Sequence, residues 1–176
     1  HANVHMACPM YQFDYASEGD AHLTGYSSAL LGAYMGLAYK RIVVDGKDWS
    51  PLRPLSAVKQ GNIITVKFNV PYGKLELDTT NVAANTDFGF ECVTSADVAL
   101  TISSVTVIAY DTVKIVLSAA VPAGAKVRYA WSGSGTSGRT TGPRGNLRDT
   151  QGDVITYKAL SAKMHNWCVI FEQGVL

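Results

Sequence analysis

Two patterns of apolar and polar residues divide the chain into unequal parts, 1–41 and 42–176. In the second part, short runs in which apolar and polar residues alternate predict β-strands, because a half-buried strand turns every second side chain to the core. These runs cover residues 63–70, 98–102, 104–109, 113–117 and 126–131, and a terminal strand is predicted over 165–172 with Trp167 in the core. Short strands at this spacing predict a mainly β fold, an antiparallel jelly-roll-like β-sandwich.

The first part, residues 1–41, predicts a strand, a loop and a helix. The strand covers residues 4–10, a polar loop covers 14–20, and apolar residues at helical spacing predict a helix over 24–41, with Thr24 or Ser27 as its cap. Small residues, Ala29, Gly32, Ala33 and Gly36, predict a smooth helix face that lies close against a sheet. Residues 49–55, which contain two prolines, are interpreted as the linker or first edge crossing.

Composition narrows the function classes. The chain has 176 residues, of which 47% are hydrophobic, so general disorder is excluded. Charged residues make up only 16%, below the usual share of about 25%, which favours a virion or extracellular β protein. The net charge of +1 predicts no nucleic-acid or membrane partner, and no apolar run has the roughly 20 residues of a membrane span. Because the chain starts with histidine, we expect it to begin mid-sequence or after cleavage.

The three cysteines, Cys8, Cys92 and Cys168, are far apart and form no CxxC pair. Their odd number and apolar surroundings predict buried free thiols, with no disulfide framework and no zinc site. No cofactor is predicted.

The candidate catalytic residues are His22 and Asp20, in the loop before the predicted helix. A neighbouring carboxylate can orient an imidazole and stabilise its protonated form, as in a Ser-His-Asp triad. The alternative interpretation is an exposed loop histidine with no catalytic role.

Residues 20–26 and the small-residue helix 30–34 resemble the closing block of SGNH (GDSL-type) serine hydrolases. From residue 49 onward, the segments 49–52, 89–92, 142–149 and 165–167 resemble the β-rich domain that follows such hydrolases in phage tail and tailspike esterases. The resemblance implies that residues 1–41 are the last strand, Asp/His loop and final helix of the hydrolase domain. It implies that residues 42–176 are a carbohydrate-binding-like accessory domain.

Two features depart from the family. The family places its Asp three residues before the His, whereas Asp20 stands two before His22, so Asp14 or a backbone carbonyl is an alternative partner of the imidazole. The Gly-Asp-Ser block that carries the nucleophile is not recognisable, and no GxSxG elbow is present in the 132–138 segment. We therefore expect this chain to be inactive alone, although its parent is expected to be a serine esterase.

A second candidate site lies in the glycine-rich segment 132–153. Sugar recognition needs aromatic faces and planar polar groups, and arginine suits acidic sugars because its fork matches a carboxylate. Trp131, Trp49 or Tyr129 supply aromatic faces, and the polar candidates are Arg139, Arg144, Asn146, Arg148 and Asp149. The alternatives are that Arg148, Asp149 and Asn146 pin the loop, or that Asn146, Asp149 and Asp153 bind calcium.

Three hypotheses follow. The chain is part of a polysaccharide O-deacetylase-like esterase, or a module that binds polysaccharide or an acetylated glycan, or a non-catalytic structural or trimerisation domain of a phage tail fibre. An uncovered apolar helix surface predicts association, either as a homo-oligomer such as a trimer or with the remainder of the hydrolase domain.

Overall fold

The structure is a computed structural model that describes residues 4–17, 20–133, 135 and 138–176. Antiparallel β-sheet dominates it, which confirms the predicted mainly β, sandwich-like fold. The strands are β1 (Arg53–Gln60), β2 (Ile63–Asn69), β3 (Glu76–Leu77), β4 (Phe90–Val93), β5 (Ala99–Leu100), β6 (Ile102–Ala109), β7 (Thr112–Leu117), β8 (Lys126–Tyr129), β9 (Leu147–Arg148), β10 (Thr156–Tyr157), β11 (Ala162–Lys163) and β12 (Phe171–Gly174).

Two four-stranded sheets share one hydrophobic core. The first has the order β1-β2-β7-β6 and the second the order β12-β8-β4-β5. Alternation along β2 and β7 explains the first sheet, since Ile64 pairs with Ile115 and Val66 with Val113, and all four side chains are buried. The second sheet contributes the buried residues Phe90, Cys92, Val127, Tyr129 and Phe171.

One helix, α1 (Gly25–Tyr39), runs into a short π-helix (Lys40–Val44). The side chain of Thr24 caps it by accepting a hydrogen bond from the backbone N–H of Ser27 at 3.2 Å, as one of the two predicted caps. Tyr34 is the buried anchor: it packs against Phe13 and Met164.

The predicted contact of the small helix face with a sheet is wrong. Gly32 and Gly36 are exposed, and no atom lies within 4 Å of where a Cβ would stand on either glycine. The helix buries Ser27, Tyr34 and Ala38 instead, and its partly buried residues Leu30, Leu31, Ala33 and Leu37 pack against the cluster of Phe13, Tyr34 and Met164.

The predicted strand over residues 4–10 is also wrong, since those residues are irregular and Val4 and Met6 are exposed. The segment is held by Tyr11, which is fully buried in the sandwich core and donates its hydroxyl to the carbonyl of Cys168 at 2.6 Å. The division at residue 41 stays a prediction. All three cysteines are free, with Cys92 and Cys168 buried and Cys8 half-buried.

The second part differs from its sequence pattern at both ends. The segment read as a linker already forms β1 from Arg53 onward. The terminal strand is shorter than predicted and begins only at Phe171. The preceding backbone N–H groups do not pair with a single neighbouring strand: that of Asn166 donates to the Asp149 carboxylate, that of Cys168 to the carbonyl of Leu147 and that of Val169 to the carbonyl of Leu52. Trp167 is buried, as predicted.

Candidate functional site

His22 stands on a small hairpin that precedes α1. Tyr15 and Leu23 form an isolated antiparallel bridge, and the N–H of Ala16 donates to the carbonyl of His22 at 2.9 Å. The N–H of Thr24 donates to the carbonyl of Asp14 at 3.0 Å. These bonds fix both ends of the turn, of which residues 18 and 19 lie outside the described part.

Asp20, rather than Asp14, is the partner of His22. Its Oδ1 lies 2.6 Å from Nδ1 of His22 and also accepts the backbone N–H of His22 at 2.9 Å. Because an ionised carboxylate can only accept, the short contact assigns the proton to Nδ1 and leaves Nε2 as the basic nitrogen. The backbone and side-chain hydrogen bonds from His22 lower the pKa of Asp20.

The imidazole is accessible. The side chain of His22 is 87% exposed, so its Nε2 can be reached by a group from another part of a protein. Among the described residues, no serine hydroxyl is hydrogen-bonded to His22. The hairpin therefore brings a carboxylate and an exposed imidazole into contact.

Arg139 is the predicted binding residue that lies beside this hairpin. Its Nε donates to Oδ1 of Asp14 at 2.6 Å, and its backbone N–H donates to the carbonyl of Phe13 at 3.1 Å. A cleft of about 250 Å³ lies between the hairpin and residues 138–141, lined by Asp14, Tyr15 and Arg139 among others. The hairpin that carries His22 and the long loop therefore line the same cleft.

Asn146 and Asp149, in contrast, are fully buried and bonded within the chain. The amide nitrogen of Asn146 donates to the carbonyls of Asp78 and Val82, both at 2.9 Å, and its oxygen accepts the N–H of Asn85. The carboxylate of Asp149 accepts the N–H groups of Tyr72, Gln151 and Asn166 and the Asn166 amide at 2.7–3.1 Å. Side chains used in this way favour the alternative interpretation that they pin the loop.

Arg148 joins the same buried network. Its Nε donates to Oδ2 of Asp78 at 2.6 Å, and its NH2 pairs with Glu76 at 3.1 Å. Burial raises the pKa of Asp78, but hydrogen bonds from Asn81 and Arg148 outweigh it and bring the pKa to about 2. Burial, assisted by Arg148, lowers the pKa of His165.

Arg144 is also committed to the loop, because it donates to the carbonyls of Ala83, Gly142 and Ala84 at 2.7–3.0 Å. The structure also argues against the calcium alternative, because the side-chain oxygens of Asn146 and Asp149 already accept hydrogen bonds from the chain itself. The described residues contain no group of three or more His, Cys, Asp or Glu placed to hold a metal ion.

Trp131 is the exposed aromatic residue of the second candidate site. Its side chain is 46% exposed, and the guanidinium of Arg128 lies 5.1 Å from its ring centroid. Both carboxylate oxygens of Glu91 accept from Ser132, at 2.7 Å each, which fixes the following turn. Tyr129, in contrast, is fully buried and cannot offer a face to a ligand, whereas Trp49 is half-buried at the edge of a cleft.

Sequence reasoning missed the pairing of Asp14 with Arg139 and the cleft around Trp49. A signal for the second was present: Trp49 closes the charged run 45–49, and a tryptophan among charged residues marks an amphipathic surface. The first depends on a contact between residues 125 positions apart, which no local pattern contains.

No family model and no curated protein matches the chain. Among solved structures, the fold is similar to part of a carbohydrate acetylesterase from Xanthomonas citri, with a TM-score of 0.52 and 19% identity. The match covers 88% of this chain and 29% of that one, so the chain spans less than a third of the acetylesterase. The N-terminal part of the bacterial S-layer protein SbsC matches with a TM-score of 0.36 and 16% identity, over 69% of this chain and 28% of that one.

At these identities the likeness concerns the fold alone. Within the described residues, no helix is both long enough and apolar enough to cross a bilayer.

Proposed function

We propose that this chain is the closing part of an SGNH-type carbohydrate esterase, in which His22 is the general base toward a serine supplied elsewhere in the same protein. The observation that carries the proposal is the 2.6 Å contact between Asp20 and Nδ1 of His22 on an exposed turn. The contact places the Nδ1 proton on the side of Asp20, so Nε2 is the exposed nitrogen that would accept a proton, as a general base does.

The proposed chemistry is acyl transfer. Nε2 of His22 takes the proton of the serine hydroxyl while the serine oxygen attacks the acetyl carbonyl of the glycan ester. The imidazolium, stabilised by Asp20, gives that proton to the sugar oxygen as the ester C–O bond breaks, so the sugar leaves with a free hydroxyl and an acyl-enzyme remains. Water then attacks the acyl-enzyme with His22 again as base, which releases acetate and restores the serine.

The fold likeness to a carbohydrate acetylesterase supports this class of substrate, since 88% of the chain is covered by that comparison. We assign the β-sandwich the role of holding the polysaccharide near the active site. Arg139 supports this role because it borders the His22 hairpin, and Trp131 supports it because its ring is exposed. We place the protein on a phage tail or in the extracellular space.

The decisive experiment replaces His22 by Ala in the complete protein and measures acetate release from an acetylated polysaccharide and from 4-nitrophenyl acetate. We expect both activities to fall by a factor of at least about 10³, since loss of a triad member has effects of this size. His5→Ala is the matched control, because His5 is another exposed histidine near the N-terminus. Equal turnover in wild type and His22→Ala would refute the proposal.

A non-catalytic role as a trimerisation or structural domain of a tail fibre is the second candidate. The observation that favours it is the exposed apolar surface of the helical region, which includes Met35, Tyr39, Val43 and Val44. Multi-angle light scattering over a concentration series tests it. A trimer that persists on dilution supports this role, and a strict monomer at high concentration excludes it.

A further inference from the structure

A second cleft lies at the far end of α1 from His22. It has a volume of about 520 Å³, compared with about 250 Å³ for the cleft beside the His22 hairpin. Its walls are the π-helix, the segment that follows it, and the loops after β2 and β9. A helix of 15 residues is about 22 Å long, so this cleft is separate from the proposed active site.

Trp49 forms its aromatic wall. The indole Nε1–H donates to the carbonyl of Met6 at 2.7 Å, which fixes the orientation of the ring. A tryptophan held in this way presents a flat apolar face without a further loss of side-chain freedom on binding. The C–H face of a sugar ring is a suitable partner for such a surface.

The charges along the cleft balance. Lys40 pairs with Asp45 through both carboxylate oxygens at 2.8 Å, and Nε of Arg41 donates to the carbonyl of Asp48 at 3.0 Å. In the described part of the chain, no hydrogen bond or ion pair engages the carboxylate of Asp48. Two cations and two anions give no net attraction for a charged ligand, and the open carboxylate can accept from hydroxyl groups.

Two amides add oriented acceptors. Asn69 donates its Nδ2 to the carbonyl of Pro51 at 2.9 Å, and Gln151 donates its Nε2 to the carbonyl of Met164 at 2.9 Å. The Asn69 nitrogen also donates to the carbonyl of Ser50 at 3.3 Å, so its oxygen is the group left for a ligand, whereas Gln151 keeps one N–H as well as its oxygen. Anchored polar groups of this kind fix the orientation of a ligand at little entropic cost.

The backbone of the wall is unusual. Residues Lys40–Val44 are a π-helix, in which the N–H of Asp45 donates to the carbonyl of Lys40 five residues earlier at 2.8 Å. This conformation accounts for well under 1% of residues and is frequent at functional sites. It sets Lys40 and Arg41 on the same wall of the cleft.

We propose that this cleft is a binding site for a neutral, hydroxyl-rich sugar unit, with Trp49 as the stacking face and Asp48 as an acceptor from its hydroxyls. The site does not depend on the proposed esterase activity. It takes uncharged residues of a glycan, whereas Arg139 at the other site suits acidic ones.

The test follows the indole N–H signals in ¹⁵N NMR spectra of the chain during titration with maltotriose, cellotriose, chitotriose and trigalacturonate. Trp49→Phe and Trp131→Phe assign the two signals. We expect at least one neutral trisaccharide to shift the Trp49 signal saturably, and trigalacturonate at equal concentration to leave it unmoved. A shift of the Trp131 signal alone would support the glycan role under the proposed function and refute this site.

Asp48→Ala provides the second arm, since it leaves the carbonyl that holds Arg41 in place. We expect it to weaken the neutral trisaccharide about tenfold, the value of one charge-assisted hydrogen bond. Asp153→Ala, an exposed carboxylate outside the cleft, is the matched control and should bind as wild type. The site is refuted if no neutral trisaccharide shifts Trp49, if Asp48→Ala binds unchanged, or if trigalacturonate binds more tightly.

Discussion

The His22 hairpin and the Asn146–Asp149 segment both carry polar side chains, but these side chains differ in burial and in the number of their hydrogen bonds. The side chain of His22 is 87% exposed and has one hydrogen-bond partner among the described residues, Asp20. Asp149 is fully buried and accepts four hydrogen bonds. A loop side chain that is buried and hydrogen-bonded at all its polar atoms stabilises the fold. A loop side chain that is exposed and has polar atoms without a partner is available for chemistry.

The largest effect is expected for Asp149→Ala. It leaves the N–H groups of Tyr72, Gln151 and Asn166 without their acceptor in a buried region, which should lower the free energy of unfolding by about 3–5 kcal/mol. Urea denaturation measures it, with exposed Asp153→Ala as control at below about 1 kcal/mol. A stable Asp149→Ala protein that loses glycan binding would reverse the assignment of Asp149 to the fold.

Acid should weaken the same network through Asp78. Its folded pKa of about 2 lies below the unfolded value of about 3.9, so its stabilisation is present above pH 4 to 5 and is lost as the pH falls toward 2. We expect about 2 kcal/mol to disappear over this window. The gap in unfolding free energy between wild type and Asp78→Asn should narrow correspondingly. A gap that is constant from pH 6 to pH 2 would contradict this.

The two arginines of the long loop provide a direct pair. Arg144→Ala removes hydrogen bonds to three backbone carbonyls and should cost about 1–2 kcal/mol. Arg139→Ala removes an exposed pair with Asp14 and should cost below about 1 kcal/mol, which thermal unfolding resolves. If Arg139→Ala lowers the free energy of unfolding more than Arg144→Ala does, the assignment of Arg144 to the fold and of Arg139 to a binding surface is wrong.

The smallest effect on stability is expected for His22→Ala. Its side chain is 87% exposed and, among the described residues, is hydrogen-bonded to Asp20 alone, so the free energy of unfolding should stay within about 0.5 kcal/mol of wild type. Chemical denaturation of the chain gives the value, and unchanged stability would show that the loss of activity proposed for His22→Ala does not come from unfolding. A destabilisation of more than about 1 kcal/mol would mean that the hairpin itself needs the imidazole.

The sheet strands with clear alternation were predictable. Residues 63–70 and 113–117 alternate cleanly, and the structure pairs them as β2 and β7. The strand predicted over 4–10 was wrong, because a short apolar run indicates only that a segment can be buried and does not specify a neighbouring strand to pair with. β1 was missed at its start for a related reason. Residues 49–55 contain two prolines, which argue against a strand, yet β1 begins within this segment at Arg53.

The candidate sites also combine contacts that are local in sequence with contacts that are not. Asp20 and His22 are two residues apart, so their contact is a local property of the chain. For Asn146 and Asp149, the sequence left ligand binding and structural pinning as alternatives. The contacts that favour pinning are made with Asp78, Val82 and Asn166, which are distant in sequence.

By itself, the sequence determined the β-rich composition of the fold and the presence of the helix, and it narrowed the helix cap to Thr24 or Ser27 and the partner of His22 to Asp20, Asp14 or a backbone carbonyl. Each depends on spacings of a few residues, and backbone geometry converts such spacings directly into contacts. Only the tertiary structure decided that Asn146 and Asp149 are buried, that Arg139 borders the His22 hairpin, and that Trp49 faces a cleft. Burial and long-range pairing depend on which segments meet when the core closes, and that choice is made by the whole chain at once.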